Sequence, residues 1–296
     1  MVFRSLALDK VNRAETTLDG AAGKSINVAK VLKALGENPI ATGFIGGNRG
    51  ALVKSALAER GIETEFVRIE PETRQCTTVI DESAGTNTEL VQESDAVPKE
   101  KYRQLIEVVR KWAGRCRAMS MSGTLTPRAP IDFYRRCTQL AAEYGLLSVV
   151  DANGSALIEA LKARPGVVKP NRSELAATLG HELVSEADLK SAMRELCDRG
   201  ALKVIVTSGK DPALAFDGKQ FWRIHAPNIA AVNPIGSGDA FTAGLTWRLL
   251  RGADLGEACR WASATGAANA LTLMAGEVRR KHVQRLSAEV KVEEID

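Results

Sequence analysis

Apolar residues recur along this chain with two periods, and the second half alternates between them. From 99 onward the pattern predicts a helix to 114, a strand at 118–121, a helix over 132–144, a strand at 147–150, a helix over 155–161 and a strand at 167–168. Further on, 185–199 reads as a helix stopped by Gly200 and 202–206 as a buried strand, while 213–216 and 221–225 flank an Asp217-Gly218 turn as a hairpin. Short strands separated by helices predict βαβ units and a mainly parallel sheet covered on both faces. Ligands of such sheets gather beyond the strand C-termini. Ser122-Gly123-Thr124-Leu125, Asp151-Ala152-Asn153-Gly154 and Lys169-Pro170-Asn171 all fall at that end.

The first third follows a different rule. Val28, Val31, Leu32 and Leu35 have helical spacing with Gly36 as the stop, 40–45 reads as a buried strand closed by Gly46-Gly47, and 51–60 as a helix stopped by Gly61. Three strand-like pieces, 64–69, 76–81 and 88–92, then succeed one another without a helix. Consecutive ribbons inside a βα chain predict an inserted lid sheet. The expectation is one α/β domain over 1–296, with lid strands drawn from 8–22 and 62–95.

One stretch joins pattern to chemistry. Asn233-Pro234-Ile235-Gly236-Ser237-Gly238-Asp239-Ala240-Phe241-Thr242-Ala243-Gly244 follows the strand-like 229–232 and opens an apolar helix. Gly236 and Gly238 lack a Cβ, so a ligand can approach the backbone amides closely. Those amides are the free donors of a helix N-terminus, where negative charge is favoured, so the turn reads as an anion cradle with Ser237 inside it. Asp239 would repel a bound phosphate; it suits a base that takes the proton of a hydroxyl attacking that phosphate. Spacing alone leaves a second reading open, in which Asp239 is the helix N-cap.

Composition narrows the field. With 296 residues and 45% hydrophobic content the chain reads as an ordinary globular protein, and 40 basic against 36 acidic residues is too even a balance to imply nucleic-acid binding. The run 279–282 reads as the start of a solvated terminal helix. Five scattered cysteines without a Cys-x-x-Cys argue for a reducing compartment, and three isolated histidines argue against a transition-metal site. No apolar run approaches a membrane span and no signal-peptide core follows Met1, so the expected location is cytoplasmic.

The stretch 233–244 resembles the C-terminal signature of the PfkB/ribokinase family of sugar kinases, in particular its tagatose-6-phosphate kinase and 1-phosphofructokinase branch. Residues 22–29, Ala-Gly-Lys-Ser-Ile-Asn-Val-Ala, resemble the family's N-terminal Gly-Gly-Lys-Gly-x-Asn-Val-Ala, with Ala22 and Ser25 departing from its glycines. By that resemblance Gly23, Lys24 and Asn27 hold the sugar phosphate, as does Arg74 in Glu72-Thr73-Arg74. Ser122 belongs to a loop similar to the family's substrate-side Ser-Gly-Ser-Leu-Pro, with Thr126 at the proline position. Lys169-Pro170-Asn171-Arg172-Ser173-Glu174 is similar to a Lys-Pro-Asn-x-x-Glu segment whose Asn171 and Glu174 equivalents organise hydrated Mg²⁺; a first-turn glutamate favoured by the helix dipole is the plainer reading of Glu174. The resemblance puts Lys169, Thr207, Gly209, Ala268 and Asn269 beside the nucleotide. Pro212 stands where the family has a glycine.

The implied fold is ribokinase-like: a mainly parallel central sheet flanked by helices, with a small β lid. The implied activity is ATP-dependent, Mg²⁺-assisted phosphorylation of fructose 1-phosphate, tagatose 6-phosphate or fructose 6-phosphate, with Asp239 as base and the Gly236, Ser237 and Gly238 amides as the anion hole. Implied partners are the sugar phosphate and ATP, with neither nucleic acid nor membrane, and a homodimer formed through the lid. The family's opening strand and sugar-binding aspartate have no counterpart in 1–20, so the sheet is expected to lack that strand. Competing readings are a catalytically impaired sugar-phosphate binder and a kinase for an unphosphorylated sugar. A dinucleotide-binding Rossmann domain fails, since no Gly-x-Gly-x-x-Gly follows the first strand.

Overall fold

A computed structural model describes residues 1–296. In chain order the elements begin with β1 (Val2–Phe3), α1 (Lys24–Ala34), β2 (Ile40–Ile45), α2 (Gly47–Glu59), β3 (Glu63–Arg68), β4 (Cys76–Asp81) and β5 (Thr86–Val91). There follow α3 (Lys99–Ala113), β6 (Ala118–Ser122), α4 (Phe133–Glu143), β7 (Leu147–Asp151), α5 (Gly154–Leu161), β8 (Val167–Val168), α6 (Arg172–Leu179) and α7 (Glu186–Asp198). The chain closes with β9 (Val204–Ser208), β10 (Asp211–Phe216), β11 (Phe221–His225), α8 (Ser237–Leu249), α9 (Leu255–Ala270), α10 (Arg280–Ser287) and β12 (Lys291–Ile295).

Seven strands form the main sheet in the order β12-β11-β10-β9-β8-β7-β6. β6 to β9 are parallel and β9 to β12 antiparallel. Its centre reads as near-continuous apolar sequence because both faces are covered. Val150, Val168, Val204 and Val206 point into the core shared with α3 to α7, while Val149, Val167 and Ile205 point into the one shared with α1 and α8 to α10. All seven are without exposed surface, each worth about 1.5–3 kcal/mol of burial. The parallel strands end at Ser122, Asp151, Val168 and Ser208, and the N-terminus of α8 arrives over that end.

Two glycines let α8 and α9 approach closely. A Cβ at Gly244 would lie 2.5 Å from Thr265 Oγ1, and one at Gly266 would lie 3.0 Å from Ser237 O. The alanine-rich face of α9 is thus spent on packing against α8, and Asp254 caps the helix by accepting from Glu257 N at 2.8 Å.

Three expectations are corrected and one strand is added. The piece 64–69 is not a lid strand: β3 pairs in parallel with β2 across α2, as one βαβ unit. The range 8–22 contributes no strand; Thr16 makes an isolated bridge to Val2, and β1 itself joins the lid, parallel to β4, which is antiparallel to β5. The stretch 229–232 is not a strand, because its end is tied to the last turn of α9, with Val232 N and Asn233 N both donating to Ala270 O at 2.7 and 3.1 Å. β12 is a further strand, outside the expected set; it pairs with β11 at the sheet edge, with Val292 and Ile295 packing on opposite faces. β6 forms the other edge, and β2 with β3 stands as a separate two-stranded sheet that β1 does not join. No helix is long and apolar enough to cross a membrane.

Candidate active site

The glycine turn begins α8. Gly236 is the N-cap, in the left-handed region at φ 82°, where an added Cβ would also meet Ala275 Cβ at 2.8 Å. Ser237 and Gly238 are the first helical residues and Asp239 the third. The N-cap reading of Asp239 therefore fails. No side chain caps the helix; Ser237 N donates to Pro234 O at 3.1 Å, and the Gly236 and Gly238 amides are left for an anion.

Asp239 is 7% exposed and accepts a 2.8 Å hydrogen bond from Asn27 Nδ2. Burial pushes its carboxyl up to about 6, with the nearby Asp151 charge adding to the rise while the Asn27 bond and the Lys169 and Lys24 ammonium groups oppose it. A carboxylate poised near neutrality is matched to accepting a proton from a hydroxyl. Asn27 belongs to the predicted sugar-side motif, and Gly23, its N-cap at φ 122°, sets the start of α1. Asn27 Oδ1 is buried without a partner, against Gly276.

Asp151, at the end of β7, is the hub that the sequence reading did not assign. Its carboxylate lies 3.0 Å from Lys169 Nζ, 3.4 Å from Lys24 Nζ and 3.2 Å from the Thr242 hydroxyl. Burial disfavours its charge, but the two lysines outweigh that and hold its carboxyl below the usual carboxylate range. Lys24 also lies 3.4 Å from Glu174 Oε1; burial would depress its ammonium, yet Asp151, Glu174 and Asp239 together raise it. Lys24 is therefore a cation shared between Asp151 and Glu174 within the site. Thr242 lies one turn beyond Asp239 on α8, a spacing that could have flagged it.

Of the residues expected beside the nucleotide, Lys169 is buried between Asp151 and Gly238, under the turn. Ala268 and Asn269 have no exposed surface. Asn269 donates from Nδ2 to Ile235 O at 2.9 Å and accepts from Gly276 N at 2.8 Å, so it clamps the turn. Thr207 is half-buried beside Asn171, and Gly209 is exposed at φ 65° in the β9–β10 connection. Pro212 falls where the register of that pair shifts.

Asn171 and Glu174 form a capping box on α6: Asn171 Oδ1 accepts from Glu174 N at 2.8 Å, and Glu174 Oε2 accepts from Asn171 N at 2.9 Å. That leaves Glu174 Oε1, facing Lys24 and Asp151, as the oxygen able to meet a cation. No group of three or more metal-ligating side chains converges. The donor set fits a hydrated Mg²⁺ touched by few protein groups, and not a protein cage.

The Ser122 hydroxyl is buried without a partner, and Ser122 O accepts from Ser25 Oγ at 2.8 Å. The hydroxymethyl group at the family's glycine position thus ties α1 to β6. Arg74 is exposed. Its neighbour Thr73 is fastened to Gly46 at the end of β2 by bonds of 3.0 and 3.1 Å.

Relatives share this arrangement over nearly the whole chain. Residues 3–278 match the model of the pfkB family carbohydrate kinases. A tagatose-6-phosphate kinase of Staphylococcus epidermidis is 31% identical over 291 residues, 97% of this chain and 93% of that protein. The structure of phosphofructokinase-2 from Escherichia coli in complex with fructose-6-phosphate superposes with a TM-score of 0.85 at 27% identity, covering 97% of this chain and 93% of that one. A Thermotoga maritima structure described as a "Possible 1-phosphofructokinase" shares the fold at a TM-score of 0.92 and 22% identity, covering 100% of this chain and 95% of that one. The chain belongs to the pfkB family of carbohydrate kinases and is a phosphotransferase that uses an alcohol group as acceptor.

Proposed function

We propose that this kinase transfers the terminal phosphoryl group of ATP to a free hydroxyl of a ketohexose phosphate, giving the bisphosphate. The observation that carries the reading is Asp239, buried in the first turn of α8 beside the Gly236 and Gly238 amides, with its carboxyl pushed up to about 6. The sugar hydroxyl gives its proton to Asp239 as it attacks, and the amides take up charge on the transferred group. Lys24 and Lys169 flank that group, both held by Asp151. Mg²⁺, approached by Glu174 and through water by Asn171, supplies charge neutralisation to the ATP phosphates. Arg74 takes the substrate's own phosphate, for which a planar guanidinium is suited.

A phosphorylated substrate is favoured by the exposed Arg74 and by the activities for which the two more similar relatives are named. Tagatose 6-phosphate, fructose 1-phosphate and fructose 6-phosphate are the candidates. A coupled ADP-release assay across these three, with fructose and ribose as controls, tests the reading. The preferred sugar phosphate should exceed fructose in kcat/KM by about 10- to 150-fold, the worth of one charge-assisted phosphate contact. Equal turnover of fructose would overturn it.

The lid is read as a homodimer surface. Leu90 and Val91 are 58% and 48% exposed on β5, an outer lid strand. Sedimentation of Leu90→Asp should then show a monomer; an unchanged mass would remove the lid from the interface.

A further inference from the structure

A second buried lysine has no part in the reaction described above. Lys30, one turn along α1 from Asn27, is 4% exposed. Its ammonium donates to Ala275 O at 2.7 Å and to Ala21 O at 3.1 Å, and lies 3.3 Å from Glu277 Oε1. Burial lowers its pKa from the usual lysine value, and Arg60 adds to that fall while Glu277 opposes it. If only stability were needed, an unbranched apolar side chain of similar length could fill the same path without removing a charge from water. The three acceptors therefore ask for an explanation in terms of where they are.

Ala275 and Gly276 are the surface on which both halves of the site rest. Ala275 Cβ backs the catalytic turn, leaving no room for a Cβ at Gly236. A Cβ at Gly276 would lie 2.9 Å from Asn27 Cα, so α1 presses on the same two residues from the other side. The Gly276 amide donates to Asn269, which in turn donates to Ile235 O inside the turn. The chain of contact runs from α1 through the Lys30 ammonium to Ala275, and from there to Gly236.

We infer that Lys30 is a positioning residue for phosphoryl transfer: it fixes the loop behind the Gly236–Gly238 amides to the helix that carries Asn27, and so sets the spacing between the anion hole and the sugar-side groups. This rests on the kinase reading above. Loss of the tie leaves each substrate its own contacts but misaligns one with the other, and a displacement near 1 Å can cost about 10²-fold in rate.

The test compares Lys30→Met and Lys30→Arg with the unaltered full chain in steady-state assays with ATP and the preferred sugar phosphate. The expected result is a kcat roughly 10- to 100-fold lower in Lys30→Met, both KM values within about threefold of the unaltered enzyme, and partial recovery in Lys30→Arg. A kcat within about twofold of the unaltered enzyme, with only a lower melting temperature, would overturn the inference, as would a rise confined to one KM. If Lys30→Met does not fold, Lys30→Gln takes its place, being neutral and still able to donate. Turnover by the unaltered chain decides the kinase reading separately. Should that chain phosphorylate none of the sugars, amide exchange in the ligand-free protein still decides: the Gly276 N–H should exchange about tenfold faster in Lys30→Met, and unchanged protection would refute the tie.

Discussion

The two sides of the site are built differently. On the phosphoryl side, Asp239, Asp151 and Lys169 are buried, each bonded or paired to a partner from another element, and Asn233 and Asn269 stitch the turn to the loop after α9. On the side proposed to take the sugar's phosphate, Arg74 is exposed, between Thr73, fastened to Gly46, and Gln75, fastened to Gln92. A side that must stabilise charge during bond exchange has its dipoles fixed beforehand, where reorganisation would otherwise oppose the reaction. A side that captures a phosphate from water gains from a long, solvated cation that orders when the ligand arrives. The contrast predicts that changes to the first side cost rate and changes to the second cost affinity.

The strongest break is Asp239→Asn. Loss of the base should lower kcat on the order of 10²- to 10⁴-fold and leave the KM for ATP nearly unchanged. The protein should not lose stability. Because the folded-state pKa of Asp239 is raised from 3.8 to about 6, its contribution is fully present below the unfolded value and is lost as pH rises from about 4 through about 6. Above that range the ionised group opposes folding by up to about 3 kcal/mol, which the amide relieves. Thermal melts at pH 8 should show an equal or higher Tm for the variant; a fall of several degrees would make Asp239 chiefly structural.

Arg74→Ala tests the other side. It should raise KM for the sugar phosphate about 10- to 150-fold, with a smaller effect on KM for ATP and none on Tm. A kcat defect at saturating substrate would erase the proposed division.

A milder probe is pH itself. In the unaltered enzyme, kcat/KM should fall about tenfold for each unit below the Asp239 pKa of about 6, and this acid limb should vanish in Asp239→Asn. A limb centred near 4 would show that burial does not tune the base. The smallest effect belongs to the lid: Arg4, 84% exposed in its pair with Glu15, should change stability by less than about 0.5 kcal/mol when replaced by alanine. Denaturant midpoints check this.

What could be read from the chain was whatever depends on near neighbours. The glycine turn, the helix after Gly23, the first-turn place of Glu174 and the Asp217-Gly218 hairpin each lie within a few residues, and all occur where expected. Asp151 was visible at a strand end, but its role comes from Lys24, 127 residues away, and from Lys169 on the neighbouring strand's end. The resemblance places Ala268 and Asn269 beside the nucleotide; that α9 also packs closely on α8 there depends on Gly244 and Gly266, each facing the opposite helix. The piece 64–69 was assigned to the lid because a ribbon and a strand returning from a crossover helix have the same local pattern, and only pairing partners separate them.

The hydrogen bond from Asn27 to Asp239 joins groups 212 residues apart. Its consequence lies in the order of events during folding. The seven-stranded sheet is drawn entirely from residues after 117 and can close largely through successive neighbours, whereas α1 must wait for α8 and the loop at Ala275 before Asn27 and Lys30 find their partners. Contacts of such separation form late and slowly. During synthesis the first third of the chain leaves the ribosome with two polar side chains and the apolar face of α1 uncovered, so it is there that a nascent molecule is exposed to aggregation and to chaperones. The active site is thus assembled last, and appearance of activity should trail formation of the main sheet.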